Sequence, residues 1–304
     1  MAATETSAGR LAVRRGRQSP LASIQPASRW YWVRVLLENP AALISLVVVG
    51  ATVLVALLAP VLAPYDPTIV DPVVRLQRPS GERWFGTDEF GRDILSRVIY
   101  GARISLLIGI SVTFVSAVLG SILGLLSGYY NRLDTPIMRT MDGLMAFPSI
   151  LLAIAIMASL GPSTFNVFIA LVIVYTPTIA RLMRGSTLVL RQQPYVESAR
   201  AIGMRDHLIL RRYVFPNALS PLIVQCTFVI AFAIISEASL SFLGAGVPPE
   251  TATWGNMLRD GQRVLQRAWW LSMFPGVALV ITVLTLNLLG DGLRDALDPR
   301  GRRR

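Results

Sequence analysis

Long apolar stretches alternate with shorter polar segments along most of the chain. A membrane-spanning helix needs roughly 20 apolar residues. Six stretches have the length or the flanks of such spans, at residues 41–63, 104–127, 145–161, 166–183, 218–243 and 271–290. The third and fourth are the weakest, because they are short and are joined by the tight turn Gly161-Pro162-Ser163. The pattern predicts an all-α polytopic membrane protein with six transmembrane helices.

Composition supports this assignment. Hydrophobic residues make up 53% of the 304 residues, and the mean hydropathy is +0.54, which is high for a soluble domain. The polar region before the first span is about forty residues long, far longer than that of a secretory signal peptide. We therefore expect the first span to be retained.

The arginines predict the orientation of the spans. All 29 basic residues are arginine. If the N-terminus is cytoplasmic, the inner segments hold 20 arginines and 9 acids, whereas the outer segments hold 9 arginines and 8 acids. The inner segments are then 1–40, 127–144, 181–217 and 291–304, and the outer ones are 64–103 and 244–270. Since cytoplasmic loops carry an excess of basic residues, both termini and the 181–217 segment are predicted to be cytoplasmic. Charge sorted in this way by membrane side argues against nucleic-acid binding.

Several kinds of chemistry are excluded by missing residues. Cys226 and His207 each stand alone, so we expect no disulfide framework, no zinc cluster and no thiol–imidazole pair. The phosphate-binding loop of ATPases needs a lysine on the β- and γ-phosphates, and this chain has none. We therefore expect no catalytic or metal site and no cofactor in this chain. Any work driven by ATP requires a partner.

The 181–217 segment contains too much order for a plain connector. Pro194 and Pro216 bracket it, and Gly203 separates two helix-sized pieces, supplying a turn with positive φ. Pro216 is expected to stop the second piece, and Asn217 to cap the following span. Glu197 offers a carboxylate to an arginine of a partner. The segment is predicted to be a docking surface for a soluble protein, with small residues permitting close approach.

The segment 84–103 is predicted to form a helix along the outer interface. Thr87 or Asp88 can cap such a helix, and its polar face would carry Arg92, Asp93, Ser96 and Arg97. Beyond it, Gly120, Gly124 and Gly128 repeat a spacing that permits close helix packing in membranes. Their partner can be a helix of this chain or of a second membrane subunit.

Two further features concern the spans themselves. Leu133–Pro148 is predicted to form an elbow before the third span. Glu237 is an acid well inside the fifth span, where ionisable groups are costly and often functional. It either lines a transport pathway or pairs with an arginine or serine on a neighbouring helix.

The 181–217 segment resembles the EAA loop of binding-protein-dependent ABC importers. That motif is Glu-Ala-Ala, three residues, Gly, nine residues and Ile-x-Leu-Pro. Its positions here, with the spacing intact, are Glu197, Ser198, Ala199, Gly203, Tyr213, Phe215 and Pro216. Ser198, Tyr213 and Phe215 depart from the consensus but keep its size or apolar character. Segments such as FGTDEFGRDILSRVIYGARISLLIG and LSFLGAGVPPETATWGNML extend the similarity to the C-type permease subunit of dipeptide and oligopeptide importers, over about residues 30–300.

The resemblance implies a type I ABC importer (MetI-like) permease fold in the bacterial cytoplasmic membrane. It also implies a heterodimer with a B-type permease, two cytoplasmic ATPase subunits that bind ATP and Mg, and an extracytoplasmic solute-binding protein. Peptides would be imported by alternating access, although nickel and glutathione are also carried in this family. Residues 1–40 would be an arginine-rich tail near membrane lipid, 41–103 the first span and an outer segment, 104–290 the permease core, and 291–304 a second tail.

Two other classes of function compete with this one. An ion-coupled secondary transporter favours several intramembrane carboxylates and an inverted repeat, but Glu237 is the only such acid and no repeat is evident. A membrane enzyme would need a nucleophile–base pair or a metal cluster. A pure scaffold would leave the order of the 181–217 segment unexplained.

Overall fold

The computed structural model describes residues 39–297. Most of the predicted tails, 1–40 and 291–304, therefore lies outside the described residues. Regular structure within the described range is helical, apart from an isolated β-bridge between Thr87 and Asp93. The helices are α1 Pro40–Leu57, α2 Ala59–Leu62, α3 Ile94–Tyr129, α4 Asn131–Met145, α5 Ser149–Leu160, α6 Thr164–Leu190, α7 Pro194–Ala201, α8 Asp206–Ile209, α9 Phe215–Phe242, α10 Trp254–Arg263 and α11 Trp270–Leu297, with a 3₁₀ turn at Pro72–Val74 and a π-helical segment at Leu210–Val214.

Five helical runs among these residues are long and apolar enough to cross a membrane. They are α1, α3, α6, α11 and the run Asp206–Phe242, which joins α8, the π-helical segment and α9. The third apolar stretch forms α5, whose 12 residues reach only about 18 Å at 1.5 Å per residue. A sixth span requires α4 and α5 together, and these two helices are bent by 90°. The predicted elbow lies at this bend.

Helices α3 and α6 pack most closely through the predicted glycine repeat. A Cβ atom on Gly124 would collide with the carbonyl oxygen of Ala180 and with Met183, and one on Gly128 would meet Thr187. Because glycine has no side chain, the two backbones can approach where larger residues would separate them. The repeat therefore serves packing within this chain, which resolves the alternative that the sequence left open.

The predicted helix over 84–103 is wrong in its first half. Helix α3 begins at Ile94, and the Asp93 carboxylate caps it by accepting the Ser96 N–H at 2.8 Å. The preceding residues form turns, with positive φ of 75° at Gly86 and 76° at Gly91. Asp88 closes one of these turns and caps no helix, since its Oδ1 accepts backbone N–H bonds from residues 90 and 92.

The polar face predicted for that helix is also wrong, because its charges are buried within the protein. Arg97 is 1% exposed and Arg92 8%. Arg92 Nε donates to Asp88 Oδ2 at 2.5 Å, and Arg92 lies 3.6 Å from Asp260 of α10. Burial raises the pKa of the Asp260 carboxyl, although the nearby arginines Arg97 and Arg92 oppose the rise. The cluster ties the segment between α2 and α3 to α10.

Ion pairs hold the elbow against α6. Arg184 donates to Asp134 through both Nε and Nη2, at 2.5 and 2.6 Å, a bidentate geometry that fixes orientation. Arg181 donates to Asp142 at 2.6 Å in a more exposed pair. Two arginines of the 181–217 segment therefore belong to a membrane-length helix and its contact with α4.

Candidate functional site

The 181–217 segment is a much shorter loop than its sequence suggested. Helix α6 continues to Leu190, and the next long run begins at Asp206. Only residues 191–205 lie between them, and α7 occupies half of that length. We call residues 191–205 the coupling loop, after the role that the sequence resemblance implies for them. The end of the helix bundle that carries this loop is called the loop end.

Gly203 ends α7 in the predicted way. Its φ is +79°, which L-residues with a side chain adopt only at a cost. The N–H of Gly203 donates to Arg200 O at 3.0 Å, and the N–H of Met204 donates to Ala199 O at 3.1 Å. These two bonds form a Schellman motif. The turn between α7 and α8 is thus fixed by local hydrogen bonds.

Helix α7 has an inner and an outer face. Val196 and Ala199 are buried and pack in a cluster with Tyr129, Ile209 and Val214. Ala199, for which the sequence suggested contact with a partner, therefore supports the loop from within the chain.

Among residues 39–297, no contact buries the outer face of the loop. Glu197 and Ser198 are exposed, and the Ser198 hydroxyl donates to Pro194 O at 2.8 Å. Ile202 is 79% exposed beside the Gly203 turn, and Leu208 is 43% exposed. An acid, a hydroxyl and an apolar side chain of the loop, together with Leu208 of α8, are thus exposed around a hydrogen-bonded turn.

Tyr129, the last residue of α3, connects the loop to the spans. Its hydroxyl donates to Asp206 Oδ1 at 2.7 Å and accepts from Arg200 Nη2 at 3.3 Å. Arg191 Nη1 donates to the carbonyl oxygen of Gly128 and to Asn131 Oδ1, both at 2.9 Å. The loop is therefore bound to the end of α3 and the start of α4. The sequence did not identify Tyr129, because no local pattern shows that α3 ends beneath the loop.

The predictions that Pro216 stops a helix and that Asn217 caps the next one are wrong. Pro216 is the second residue of α9, within a continuous helical run. Proline cannot donate an N–H bond and its ring clashes with the carbonyl four residues earlier. Here the preceding turn is π-helical, with Phe215 N–H bonded to Leu210 O, and Asn217 Nδ2 donates to Tyr213 O at 2.6 Å. The wider turn lets the helix pass the proline.

The two other motif positions are half-buried. Tyr213 packs against the cluster under α7, and Phe215, the first residue of α9, packs against a cluster that includes Ile179 and Met183 of α6. Both thus anchor the loop end of α9 to the bundle.

Glu237 lies at the opposite end of α9, fully buried. Ser105 Oγ of α3 donates to its Oε2 at 3.0 Å, and Ser241 Oγ donates to its Oε1 at 2.9 Å. A buried carboxyl with both oxygens bonded joins α3 to α9. This geometry matches the second alternative from the sequence, in which Glu237 pairs with a serine on a neighbouring helix.

Comparison with known proteins identifies the family. A family model described as "Binding-protein-dependent transport system inner membrane component" matches residues 97–303, which is more than half of the chain. The chain belongs to this family. A second model, for the N-terminal transmembrane domain of oligopeptide transport permease C, matches residues 28–79 of the permease. The resemblance inferred from the loop motif is thereby confirmed, as is the location in the inner membrane.

Individual relatives cover most of the permease. It is 49% identical over 267 residues to a putative peptide transport system permease protein of Brucella abortus, covering 88% of this chain and 90% of that protein. It is 44% identical over 266 residues to the dipeptide transport system permease protein of Alkalihalophilus pseudofirmus, covering 87% and 88% of the two chains.

A solved structure shares the fold. A chain of the inward-facing MetNI methionine ABC transporter superimposes with a TM-score of 0.56 at 19% identity, covering 67% of the permease and 98% of that chain. The predicted helical importer-permease fold is confirmed.

Proposed function

We propose that this permease carries peptides across the membrane into the cytoplasm, and that separate ATPase subunits drive it through the coupling loop. The names of the relatives, peptide and dipeptide permeases at 49% and 44% identity, support the substrate class. The observation that supports the mechanism is the exposed Gly203 turn, whose flanking residues Arg200 and Asp206 are hydrogen-bonded to Tyr129 at the end of α3.

The transmission of force follows from the contacts. An ATPase subunit that binds the face with Glu197 and Ile202 would push against α7 and α8. Tyr129 passes that displacement to α3 through its bonds to Arg200 and Asp206. Helix α3 is interlocked with α6 through Gly124, so the two helices move as one body. Packed helices transmit such displacement because close-packed interiors resist compression.

Orientation and energy supply complete the proposal. The excess of arginine on one side supports cytoplasmic termini and a cytoplasmic coupling loop. The absence of lysine supports a non-catalytic subunit, with ATP and Mg held by the ATPase partners. A B-type permease would complete the pathway, and an extracytoplasmic solute-binding protein would deliver peptide. Glu237 is proposed to join α3 and α9 as a structural acid.

Uptake into proteoliposomes tests this function. The permease is reconstituted with the protein subunits that co-purify with it, and a labelled dipeptide is offered on the side of the binding protein. Uptake should require ATP on the opposite side and should persist when the proton gradient is collapsed. Uptake driven by an ion gradient without ATP would instead support a secondary transporter.

A further inference from the structure

Two cavities lie in succession along one face of α9. The first has a volume of about 430 Å³ and is lined by residues between 220 and 228 of α9, by α6 and by the last turn of α11. We call it the loop-end cavity, because α9 begins at the loop end. The second, the inner cavity, has a volume of about 450 Å³ and lies between α9, α6 and the bend from α4 to α5. Gln225 lines both cavities, which therefore adjoin at this residue, and each is large enough for a small molecule.

Gln225 places an amide near the middle of a membrane-spanning run. Of the 37 residues in the run Asp206–Phe242, 19 precede Gln225 and 17 follow it. Its neighbour Thr227 bonds within its own helix, donating to Val224 O at 2.7 Å. The Gln225 side chain is half-buried and makes no hydrogen bond within residues 39–297. An amide at this depth needs a polar environment, since unpaired polar groups are expensive in lipid.

The broken helix on the far side of the inner cavity also needs a polar environment. Phe147, Pro148 and Ser149 line the cavity, at the 90° bend from α4 to α5. No side chain within residues 39–297 caps α5, so the N–H groups of its first turn lack partners. Helix α5 is only about 18 Å long, against about 30 Å of hydrocarbon core, and one of its ends therefore lies at membrane depth. Unpaired backbone at that depth is tolerated where it lines a water-filled cavity or is buried in protein.

The walls carry several further polar groups. The inner cavity is also lined by three hydroxyls, those of Ser149, Tyr175 and Thr178. Tyr175 is held in place across α6 and α9, because its hydroxyl donates to Phe232 O at 3.1 Å and lies 2.7 Å from Ser236 Oγ. The loop-end cavity adds the Ser220 hydroxyl and the Arg294 guanidinium. Polar groups therefore continue from the bend of α5 to the last turn of α11.

These groups match the chemistry of a peptide. The Gln225 amide has two N–H donors and an acceptor oxygen, as needed to bond the C=O and N–H of a peptide group. The Arg294 guanidinium suits a C-terminal carboxylate, through charge-assisted hydrogen bonds. Transition-metal ions instead take thiolate, imidazole or carboxylate ligands. An amide, hydroxyls and a guanidinium therefore suit a peptide better than a metal ion.

We propose that the two cavities form this chain's part of the peptide pathway, and that Gln225 hydrogen-bonds the peptide as it passes from one cavity to the other. This inference rests on the proposed function, because it takes peptide as the cargo. The inner hydroxyls bond the peptide backbone, and Arg294 draws its carboxylate toward the loop end. Phe147 is 61% exposed and Phe232 49%, so the inner cavity has an open side, which a second permease would close.

A lipid tail and a tightly packed helix of another subunit are the competing occupants. A lipid tail would leave the Gln225 amide and the first turn of α5 unpaired. A packed helix would exclude water from the same groups. A pathway for peptide instead keeps Gln225 in contact with water between transport cycles, and this difference can be measured.

Cysteine labelling tests water access in the assembled transporter without nucleotide. Gln225→Cys, in a Cys226→Ser background, should react with a charged methanethiosulfonate added on the loop side of inverted membrane vesicles. A dipeptide added on the same side should slow the reaction. Ile223→Cys in the same background is the matched control, because Ile223 is 45% exposed yet lines neither cavity. It lies about 200° around the helix from Gln225, and the charged reagent should not reach it.

Uptake by proteoliposomes supplies the second arm. Gln225→Leu should lower the maximal rate of ATP-driven dipeptide uptake about 2–12-fold, the range that one hydrogen bond contributes. The KM should stay at its wild-type value, because the peptide is captured outside the cavities. Asn287→Leu is the control and should keep the wild-type rate. Asn287 is a half-buried amide of α11 that lines neither cavity and donates to Val283 O at 3.0 Å.

The outcomes separate this site from the proposed function. The site is wrong if Gln225→Cys does not react, if Ile223→Cys reacts equally fast, or if dipeptide does not slow the reaction. Dipeptide uptake by the wild type together with an unchanged rate in Gln225→Leu would also overturn the site, while the proposed function would stand. Failure of the wild type itself to take up dipeptide with ATP would overturn the proposed function, and this inference with it.

Discussion

Replacing Tyr129 with phenylalanine isolates the connection between the coupling loop and the spans. The substitution keeps the ring in the cluster beneath α7 and removes only the hydroxyl. That hydroxyl makes two bonds, to Asp206 at 2.7 Å and from Arg200 at 3.3 Å. Hydrogen bonds to charged groups contribute about 1.5–3 kcal/mol. Asp206 and Arg200 are both exposed, and solvent screening reduces the expected loss to about 1–2 kcal/mol.

Hydrogen exchange measures this loss directly. The amides of Gly203 and Met204 close the turn at the end of α7, so their exchange reports on local opening of the loop. A loss of 1–2 kcal/mol should accelerate their exchange by about 5–30-fold, while amides in the middle of α6 keep their wild-type rates. In the assembled transporter, the amount of substrate moved per ATP hydrolysed should fall.

Tyr130→Phe is the matched control. Tyr130 packs in the same cluster, and its hydroxyl makes no hydrogen bond within residues 39–297. In Tyr130→Phe, the amides of Gly203 and Met204 should exchange at the wild-type rate. If Tyr129→Phe also leaves exchange at Gly203 unchanged, the hydroxyl does not fix the loop, and the proposed route of force through α3 is wrong.

Two further substitutions test the glycines. Gly203→Ala should still insert, because the new Cβ meets open space. It should lower coupled uptake, because φ is +79°, a conformation that costs a residue with a side chain about 1–2 kcal/mol. Gly143→Ala, which changes a helical glycine also in open space, is the control for uptake. Gly124→Val should lower the thermal midpoint of the purified protein sharply, because the valine side chain collides with Ala180. Gly185→Val, at a position in open space on α6, should change the midpoint little. Equal uptake by Gly203→Ala and Gly143→Ala would contradict the role of the turn, and equal thermal midpoints of Gly124→Val and Gly185→Val would contradict the packing of α3 on α6.

The features that the sequence predicted well depend on local physics. Each apolar stretch is helical, because hydrophobic length decides whether a segment can occupy a bilayer. The first stretch comprises α1 and α2, however, and the third forms only the 12-residue α5. The turn at Gly203 was predictable because only glycine adopts its φ at little cost. The glycine spacing of α3 indicated close packing but could not identify its partner, since small residues permit approach to any helix.

The failures involve contacts between distant segments. Thr87, Asp88 and Asp93 are all suitable caps, and only the turns at Gly86 and Gly91 decide that Asp93 begins the helix. The charges near Arg97 looked solvent-exposed because their partners on other segments are invisible to helical periodicity. Pro216 predicted a helix end, but a π turn bypasses it. Tyr129 could not be found at all, because its importance comes from the position of α3 beneath the loop.

Cross-linking from the tip of the coupling loop tests the central claim most directly. Ile202→Cys, in a Cys226→Ser background, places a single thiol at a position that is 79% exposed beside Gly203. The account predicts that this thiol cross-links to an ATPase subunit and is protected from impermeant maleimide added outside intact cells. Val73→Cys, on the segment before α3 and 88% exposed in the wild type, should instead react with the outside reagent. Labelling of Ile202→Cys from outside, or no cross-link to any ATPase subunit, would contradict the account.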